Sequence, residues 1–286
     1  MKNVEEYNAR YLEVLSRYLN FYDTIVKKDA VEAVASCGVS EETAFSLILA
    51  EAMGVDTEKE KEFFNSYFIP SIKKLEITDL YGDFYYKTIK FSDQRSGDVE
   101  LKNLSYAPYQ GFVRDDYLYF EDGRVVPQIG FFDGEYRYPA VLKGGVEWMT
   151  LLPNEINSQK KYIEKAFGNV LCYGLGLGYF ALMVAMKSCV KKITVVDFDE
   201  GVIKLFKEKI LPQFPDSAQK KIEIVNADAF KFAENLRDGE FDYIYADIWR
   251  DCGDGVPLYK KFKELEKFSP SSQFGYWIED SIKYYL

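Results

Sequence analysis

The amino-acid sequence predicts an α/β fold in which a doubly wound, mostly parallel sheet is preceded by an N-terminal helical segment and a small antiparallel β unit. After residue 145, strand-like and helix-like patterns alternate, which is typical of βαβ units around a parallel sheet. Before residue 79, apolar residues recur at helical spacing, and between these regions short aromatic runs are separated by glycine turns. We therefore divide the 286 residues into segments 1–78, 79–145 and 146–286.

The first segment is predicted to be helical. Tyrosine and apolar side chains recur every three or four residues between residues 4 and 22, as on one face of a helix. Ser40 is a typical N-cap with two acids after it, Gly54 is placed to end that helix, and a further helix is expected at 57–68, before a proline. Tyrosine-rich helices could form a homodimer face or a core, and we favour a core.

The third segment contains five predicted strands and the helices between them. The strands are predicted at 170–173, 192–196, 222–225, 243–246 and 274–278. The helices are predicted at 154–167, 179–187, 200–209, 230–236 and 258–268. Because the sequence ends at Leu286, soon after the fifth strand, we expect either a shortened sheet or one that an N-terminal strand completes.

Composition excludes several kinds of chemistry. The chain contains no histidine, which removes Ser-His-Asp triads, Cys-His pairs and histidine-ligated metals. The four cysteines are scattered without a C-x-x-C pair, so we expect neither a metal site nor a disulfide framework. A polar N-terminus and the absence of an apolar run of about 18 residues favour a cytoplasmic protein without a membrane span.

Charge is unevenly distributed along the chain. Of the net charge of −10, residues 1–150 carry most, with 17 Lys and Arg against 26 Asp and Glu. A negative field disfavours binding to nucleic acid and favours cationic partners such as polyamines, basic peptides or a sulfonium compound.

A glycine-rich loop follows the first strand of the third segment. Gly174, Gly176 and Gly178 lie between the strand ending at Tyr173 and the helix beginning at Tyr179, where glycine lets a ligand approach the backbone. All five of these residues are candidate ligand contacts. A dinucleotide fingerprint G-x-G-x-x-G would need glycine at position 179. We therefore rank NAD below S-adenosylmethionine as the ligand.

Acidic and aromatic residues follow the next three strands. Because ligands of open α/β sheets bind at the carboxyl edge of the strands, these residues should lie beside the glycine loop. Asp197 is placed to accept the ribose hydroxyls. The candidate ligand contacts at these three strand ends are Asp197, Phe198, Asp228, Ala229, Phe230, Asp247 and Trp249.

The run from Val170 to Trp249 resembles the Rossmann-like class I S-adenosylmethionine-dependent methyltransferase superfamily, because the four segments stand in that family's order and spacing. The resemblance implies S-adenosylmethionine as cofactor. It implies cofactor contacts at the three loop glycines, at Asp197 and Asp228, and at the Phe230 ring.

Residues 191–203 also resemble the spermidine synthase branch, which has a small N-terminal β domain and often lacks the acid that methyltransferases carry at the position of Cys172. Spermidine synthases follow the fourth strand with an Asp-Ser-x-Asp-Pro type of segment. This chain has Asp247, Ile248, Trp249, Arg250 and Asp251 there. That departure argues against aminopropyl transfer.

Methyl transfer to an unidentified small-molecule or protein acceptor is therefore the leading hypothesis, since it demands positioning more than acid-base chemistry. Asp247 is the candidate catalytic residue, accepting a proton or orienting an amine. Two alternatives stay open. One is aminopropyl transfer from decarboxylated S-adenosylmethionine to a polyamine, and the other is a non-catalytic binding or scaffold protein.

Overall fold

The computed structural model describes residues 4–286, and the chain folds into two compact units. The first unit comprises the chain up to Tyr81 together with Ser105–Arg137, and the second comprises Gly82–Leu104 with Tyr138–Leu286. The segment expected at 79–145 thus supplies strands to both units.

The first half of the chain contains seven short and long helices, one π-helical turn and seven strands within residues 4–150. In chain order these are α1 (Val4–Phe21), α2 (Lys28–Ala35), α3 (Glu41–Ala52), α4 (Lys61–Phe63), the π-helical turn Phe64–Phe68, α5 (Ile69–Ser71), β1 (Ile72–Lys74), α6 (Ile77–Tyr81), α7 (Phe84–Thr88), β2 (Gln94–Ser96), β3 (Val99–Tyr106), β4 (Phe112–Tyr119), β5 (Val125–Phe131), β6 (Tyr136–Lys143) and β7 (Val146–Thr150).

In the second half, strands and helices alternate as the sequence predicts. The elements are α8 (Pro153–Lys165), β8 (Gly168–Tyr173), α9 (Tyr179–Ala185), β9 (Val190–Asp197), α10 (Glu200–Leu205), a π-helical turn (Phe206–Ile210), a 3₁₀ turn (Leu211–Gln213), α11 (Asp216–Gln219), β10 (Ile222–Asn226), α12 (Ala229–Ala233), β11 (Tyr243–Ala246), α13 (Cys252–Leu265), a 3₁₀ turn (Glu266–Phe268), β12 (Gln273–Tyr276) and α14 (Glu279–Lys283).

The first unit packs its helices onto a three-stranded sheet. The strand order is β1-β5-β4, with β1 parallel and β4 antiparallel to the central strand. Every residue of β5 is buried, and Phe131 stacks on Phe45 of α3 with ring centroids 4.3 Å apart. The tyrosine face of α1 is buried here too, since Tyr11 and Tyr18 are fully covered. These tyrosines therefore belong to a core.

Two boundaries in the first unit follow capping chemistry. The Ser40 side chain accepts a hydrogen bond from the Thr43 backbone N–H, and Gly54 adopts a left-handed φ of +82°, as expected for a helix start and stop. The next helical stretch differs from the prediction because it continues past residue 68 to Ser71. Pro70 is accommodated in the first turn of α5, where its missing N–H is not needed.

The second unit is built on a five-stranded sheet of order β10-β9-β8-β11-β12, in which all pairs are parallel. The prediction of a Rossmann-like α/β fold is confirmed. Within residues 4–286, no N-terminal strand joins this sheet. The ends of β8, β9, β10 and β11 therefore meet at one edge, and the loops that follow them surround the site described below.

Helix α13 begins at Cys252, six residues before the predicted start at Leu258. The Asp251 side chain accepts hydrogen bonds from the N–H groups of Gly253 and Asp254, and the Asp254 carboxylate accepts one from the Asp251 N–H. This capping box offsets the poor helix propensity of the glycines and proline in the first turns.

The third sheet of the chain has four strands in the order β2-β3-β6-β7, and most of its residues belong to the second unit. Its outer pairs, β2 with β3 and β6 with β7, are antiparallel. Among residues 4–286, the helices lack the combination of length and apolar character that crossing a membrane requires.

Candidate active site

A cavity of about 490 Å³ lies at the carboxyl edge of the parallel sheet, entirely within the second unit. It is bounded by the glycine loop, by the segments that follow β9, β10 and β11, and by β7 and the start of α8. Every predicted site residue except Tyr173 lines it: Gly174, Gly176, Gly178, Tyr179, Asp197, Phe198, Asp228, Ala229, Phe230, Asp247 and Trp249. The sequence prediction thus names residues that the fold brings together.

Each glycine of the loop has a distinct physical role. All three have positive φ, at +94° for Gly174, +54° for Gly176 and +80° for Gly178. A Cβ on Gly174 would stand 1.9 Å from the Asp247 carbonyl oxygen, and one on Gly178 would stand 2.2 Å from the Phe206 ring. A Cβ on Gly176 would make only an ordinary van der Waals contact, with the Met149 sulfur 3.9 Å away. Gly174 and Gly178 therefore allow close packing, while Gly176 leaves the cavity open to a ligand.

Asp197 ends β9 and holds the glycine loop. Its carboxylate accepts hydrogen bonds from the backbone N–H groups of Leu175 and Asp199, each at 2.9 Å. Burial raises its pKa, and the backbone donors oppose that rise. Each carboxylate oxygen has a further lone pair, so the group can still accept from vicinal hydroxyls. Phe198 beside it is 63% exposed and offers an open apolar surface.

Asp228 and Phe230 lie at the end of β10. The Asp228 side chain caps α12 by accepting from the Lys231 N–H at 2.9 Å. The Phe230 ring packs against Phe262 at 4.7 Å between centroids, and Lys261 Nζ lies 3.7 Å from its centre. The ring is therefore held in place by its neighbours and can support a flat apolar group.

The segment before β2 supports the loop and α9. Tyr179 OH donates to the Asp83 carboxylate at 3.1 Å, and its ring packs against Tyr85. Tyr85 is fully buried and its hydroxyl donates to the Leu177 carbonyl oxygen in the glycine loop. Tyr179 is thus both a cavity wall and an anchor for the helix that begins there.

The aromatic residues near the fourth and fifth strands have different surroundings. The Trp249 indole N–H donates to the Trp277 carbonyl oxygen at 3.2 Å, and the Trp277 indole N–H donates to Ser158 Oγ at 2.9 Å. Both indoles present apolar surface to the cavity with their polar atoms already bonded. Tyr173 instead packs its ring against Phe262, with centroids 5.0 Å apart.

Asp247 lies beside two residues of α8 that the sequence analysis missed. Gln159 Nε2 lies 3.4 Å from Asp247 Oδ2 and 3.4 Å from Glu155 Oε2, so one amide bridges two carboxyl groups. Burial raises the pKa of Asp247 to about 7. Burial and the negative charge of Asp247 raise the pKa of Glu155 well above its usual range. The sequence signal that could have identified these two residues is the i, i+4 spacing of Glu155 and Gln159 on α8, the helix that precedes β8.

The cavity is strongly acidic. Within residues 4–286, six carboxyl side chains line it, against one cationic side chain, Arg250, which pairs with Asp254 at 3.2 Å. The sequence analysis also missed the β7 wall and the residues of the opposite rim. The additional polar lining residues are Glu147, Thr150, Glu155, Gln159, Arg250 and Asp254. Such a lining favours ligands that carry positive charge.

Comparison with known proteins finds similarity in the second half of this chain. The family model described as Spermine/spermidine synthase domain matches residues 156–267. A polyamine aminopropyltransferase of Prochlorococcus marinus is 31% identical over 135 residues, which are 44% of this chain and 46% of that protein. This chain therefore aligns with less than half the length of that relative.

Similar solved structures include spermidine synthase from Thermotoga maritima, with a TM-score of 0.36 and 17% identity over 65% of this chain and 55% of that one. A probable spermidine synthase from Corynebacterium glutamicum has a TM-score of 0.32 and 16% identity over 44% of this chain and 51% of that one.

These findings correct two predictions. The methyltransferase hypothesis is wrong, because the family model and the curated relative both favour the spermidine synthase branch. S-Adenosylmethionine as methyl-donating cofactor is wrong with it, because that branch consumes the decarboxylated compound as a substrate. The departure at Asp247–Asp251 misled the prediction, since it concerns a short loop while the match extends over residues 156–267. The matches support a transferase.

Proposed function

We propose that this protein transfers an aminopropyl group from decarboxylated S-adenosylmethionine to a primary amine of a polyamine-type acceptor. The observation that carries the proposal is the acid pair Asp247 and Glu155, bridged by Gln159, at the sheet edge that also holds the glycine loop and Asp197. The matches to the spermidine synthase branch point to the same chemistry.

The donor fits the two kinds of wall in the cavity. The glycine loop, Asp197 and the Phe230 ring would hold its nucleoside, as ribose hydroxyls need acceptors and a purine needs an apolar surface. The decarboxylated donor carries a sulfonium and an ammonium group. S-Adenosylmethionine carries in addition a carboxylate that six lining carboxyl groups would repel. The acidic lining therefore favours the decarboxylated form.

Asp247 can supply the required proton transfer. The acceptor enters as an ammonium ion, loses one proton to the Asp247 carboxylate and gains a free lone pair. That lone pair attacks the carbon of the aminopropyl group that is bonded to sulfur. The bond between this carbon and sulfur breaks, and its electrons return to sulfur. The products are a secondary ammonium ion and neutral 5′-methylthioadenosine. A base with a pKa of about 7 accepts this proton more readily than an ordinary aspartate does.

The proposal is tested by incubating the protein with 1,4-diaminobutane and either decarboxylated S-adenosylmethionine or S-adenosylmethionine. We expect 5′-methylthioadenosine and an aminopropylated diamine from the first donor, measured by mass spectrometry, and no S-adenosylhomocysteine from the second. Asp238→Asn is the matched control, since Asp238 is an exposed carboxylate bonded to Ser271 and should leave turnover unchanged. A methylated amine, or failure to bind either donor, would refute the proposal.

A further inference from the structure

Gln159 has two bonded hydrogens and one buried oxygen without a partner. Its Nε2 is directed at Glu155 and Asp247, at 3.4 Å from each carboxyl oxygen. The residue is only 5% exposed, and its buried Oε1 receives no hydrogen bond from residues 4–286. A buried acceptor without a donor costs free energy unless a ligand or water satisfies it. Since Gln159 lines the cavity, a bound ligand can supply the missing donor.

The orientation of this amide is fixed by its neighbours. Both carboxyl groups need donors, so the NH₂ end of the amide belongs on their side and the oxygen is left for the ligand. Glu155 lies one helical turn before Gln159 on α8, while Asp247 comes from the loop after β11. The same amide therefore fixes the helix, the loop and the spare acceptor relative to each other.

The surroundings favour one negative charge on the acid pair. Burial and the negative charge of Asp247 raise the pKa of the Cys172 thiol and of the Tyr245 hydroxyl, so both of these neighbouring groups stay neutral. Two full charges would repel each other without a nearby cation to balance them. One proton on either carboxyl group of the pair removes that repulsion, and the Gln159 NH₂ group stabilises the charge that is left.

We propose that Gln159 positions the acceptor and selects an unsubstituted amino group, with Oε1 accepting one N–H of the acceptor while the acid pair accepts another. This inference rests on the proposed function. A primary ammonium has three N–H donors, so it can satisfy both acceptors and keep one spare. A dimethylated ammonium has one N–H and leaves Oε1 or the acid pair unbonded.

The test measures binding rather than turnover. The affinities of 1,4-diaminobutane and its N,N,N′,N′-tetramethyl derivative are measured by calorimetry in the presence of 5′-methylthioadenosine. The wild type should bind the unsubstituted diamine about tenfold more tightly, since one hydrogen bond distinguishes the two compounds. Gln159→Leu should lose that preference, whereas Gln159→Glu keeps an oxygen acceptor and should retain part of it. Retention of the full preference in Gln159→Leu would overturn the assignment.

A second readout separates positioning from folding. The pH at which turnover reaches half its maximum should move upward by about one unit in Gln159→Leu, because the charged acid pair loses its donor. Gln128→Leu is the matched control, since Gln128 is a buried glutamine of the first unit that bonds the Asp116 carbonyl. It should leave that pH unchanged. If the wild type fails to use decarboxylated S-adenosylmethionine at all, the proposed function fails; if only the Gln159 results fail, the proposed function stands.

Discussion

The two walls of the cavity treat their carboxyl groups differently. On the nucleotide wall, backbone N–H groups bond the acids: Asp197 receives two at 2.9 Å, and Asp228 receives one from Lys231. The opposite wall, formed by Asp247, Glu155 and Gln159, is the acid wall. There the shared amide of Gln159 lies 3.4 Å from both Asp247 and Glu155. Backbone donors oppose the rise that burial gives the pKa of Asp197, whereas burial raises the pKa of both Asp247 and Glu155, which share one side-chain donor. The difference assigns binding to one wall and proton transfer to the other.

Asp247→Asn gives the strongest test of the difference between the two walls. The variant cannot accept the acceptor's proton, so we expect kcat for aminopropyl transfer to fall by roughly 10²–10⁴-fold. Calorimetric binding of 5′-methylthioadenosine should change little, because that ligand relies on the other wall. An equal loss of binding and turnover would show that Asp247 acts only through the structure of the site.

Asp197→Asn tests the nucleotide wall. The amide retains an oxygen for the Leu175 N–H but loses charge and acceptor capacity toward the ribose hydroxyls. We expect 5′-methylthioadenosine to bind about 10- to 100-fold more weakly, while kcat at saturating donor falls less than in Asp247→Asn. Unchanged affinity would remove Asp197 from the nucleotide site.

Two neighbouring glycines offer a matched pair within the nucleotide wall. Gly178→Ala forces a Cβ against the Phe206 ring at positive φ, so we expect it to destabilise the protein by about 2–4 kcal/mol. Gly176→Ala adds a methyl group without a clash and should cost only about 1 kcal/mol, yet this methyl group enters the cavity and should weaken nucleoside binding. Urea denaturation and calorimetry separate the two effects. Equal destabilisation by both would contradict the assigned roles.

The nucleotide wall could be predicted because its signals are local in sequence. Glycines with positive φ and acids at strand ends follow from strand–loop–helix order alone, and the residues from Gly174 to Trp249 meet as expected. Tyr173 is the exception, because strand alternation puts its ring on the face that packs against Phe262.

The acid wall was not predicted for a physical reason. The spacing of Glu155 and Gln159 places both on one face of α8, but the sequence does not show that this face turns toward Asp247 when α8 packs beside the sheet. The preference for methyl transfer failed for a related reason. The fold signature describes how a nucleoside is held, whereas the transferred group depends on side chains across the cavity.

The smallest expected effect concerns stability and pH. An aspartate in an unfolded chain has a pKa near 3.9, and that of folded Asp247 is about 7. Between these values the folded protein binds more protons than the unfolded chain, so this group makes folding less favourable as pH rises from about 4 to about 7. Asp247→Asn removes that penalty and should stabilise the protein at pH 8, with no gain near pH 4. Asp238→Asn should behave oppositely, because the Ser271 backbone and hydroxyl donors lower the pKa of Asp238 and its charge therefore stabilises the folded state. Thermal denaturation of both variants at pH 4 and pH 8 measures these changes in stability. A loss of stability in Asp247→Asn at pH 8 would mean that the charged Asp247 carboxylate stabilises the folded site.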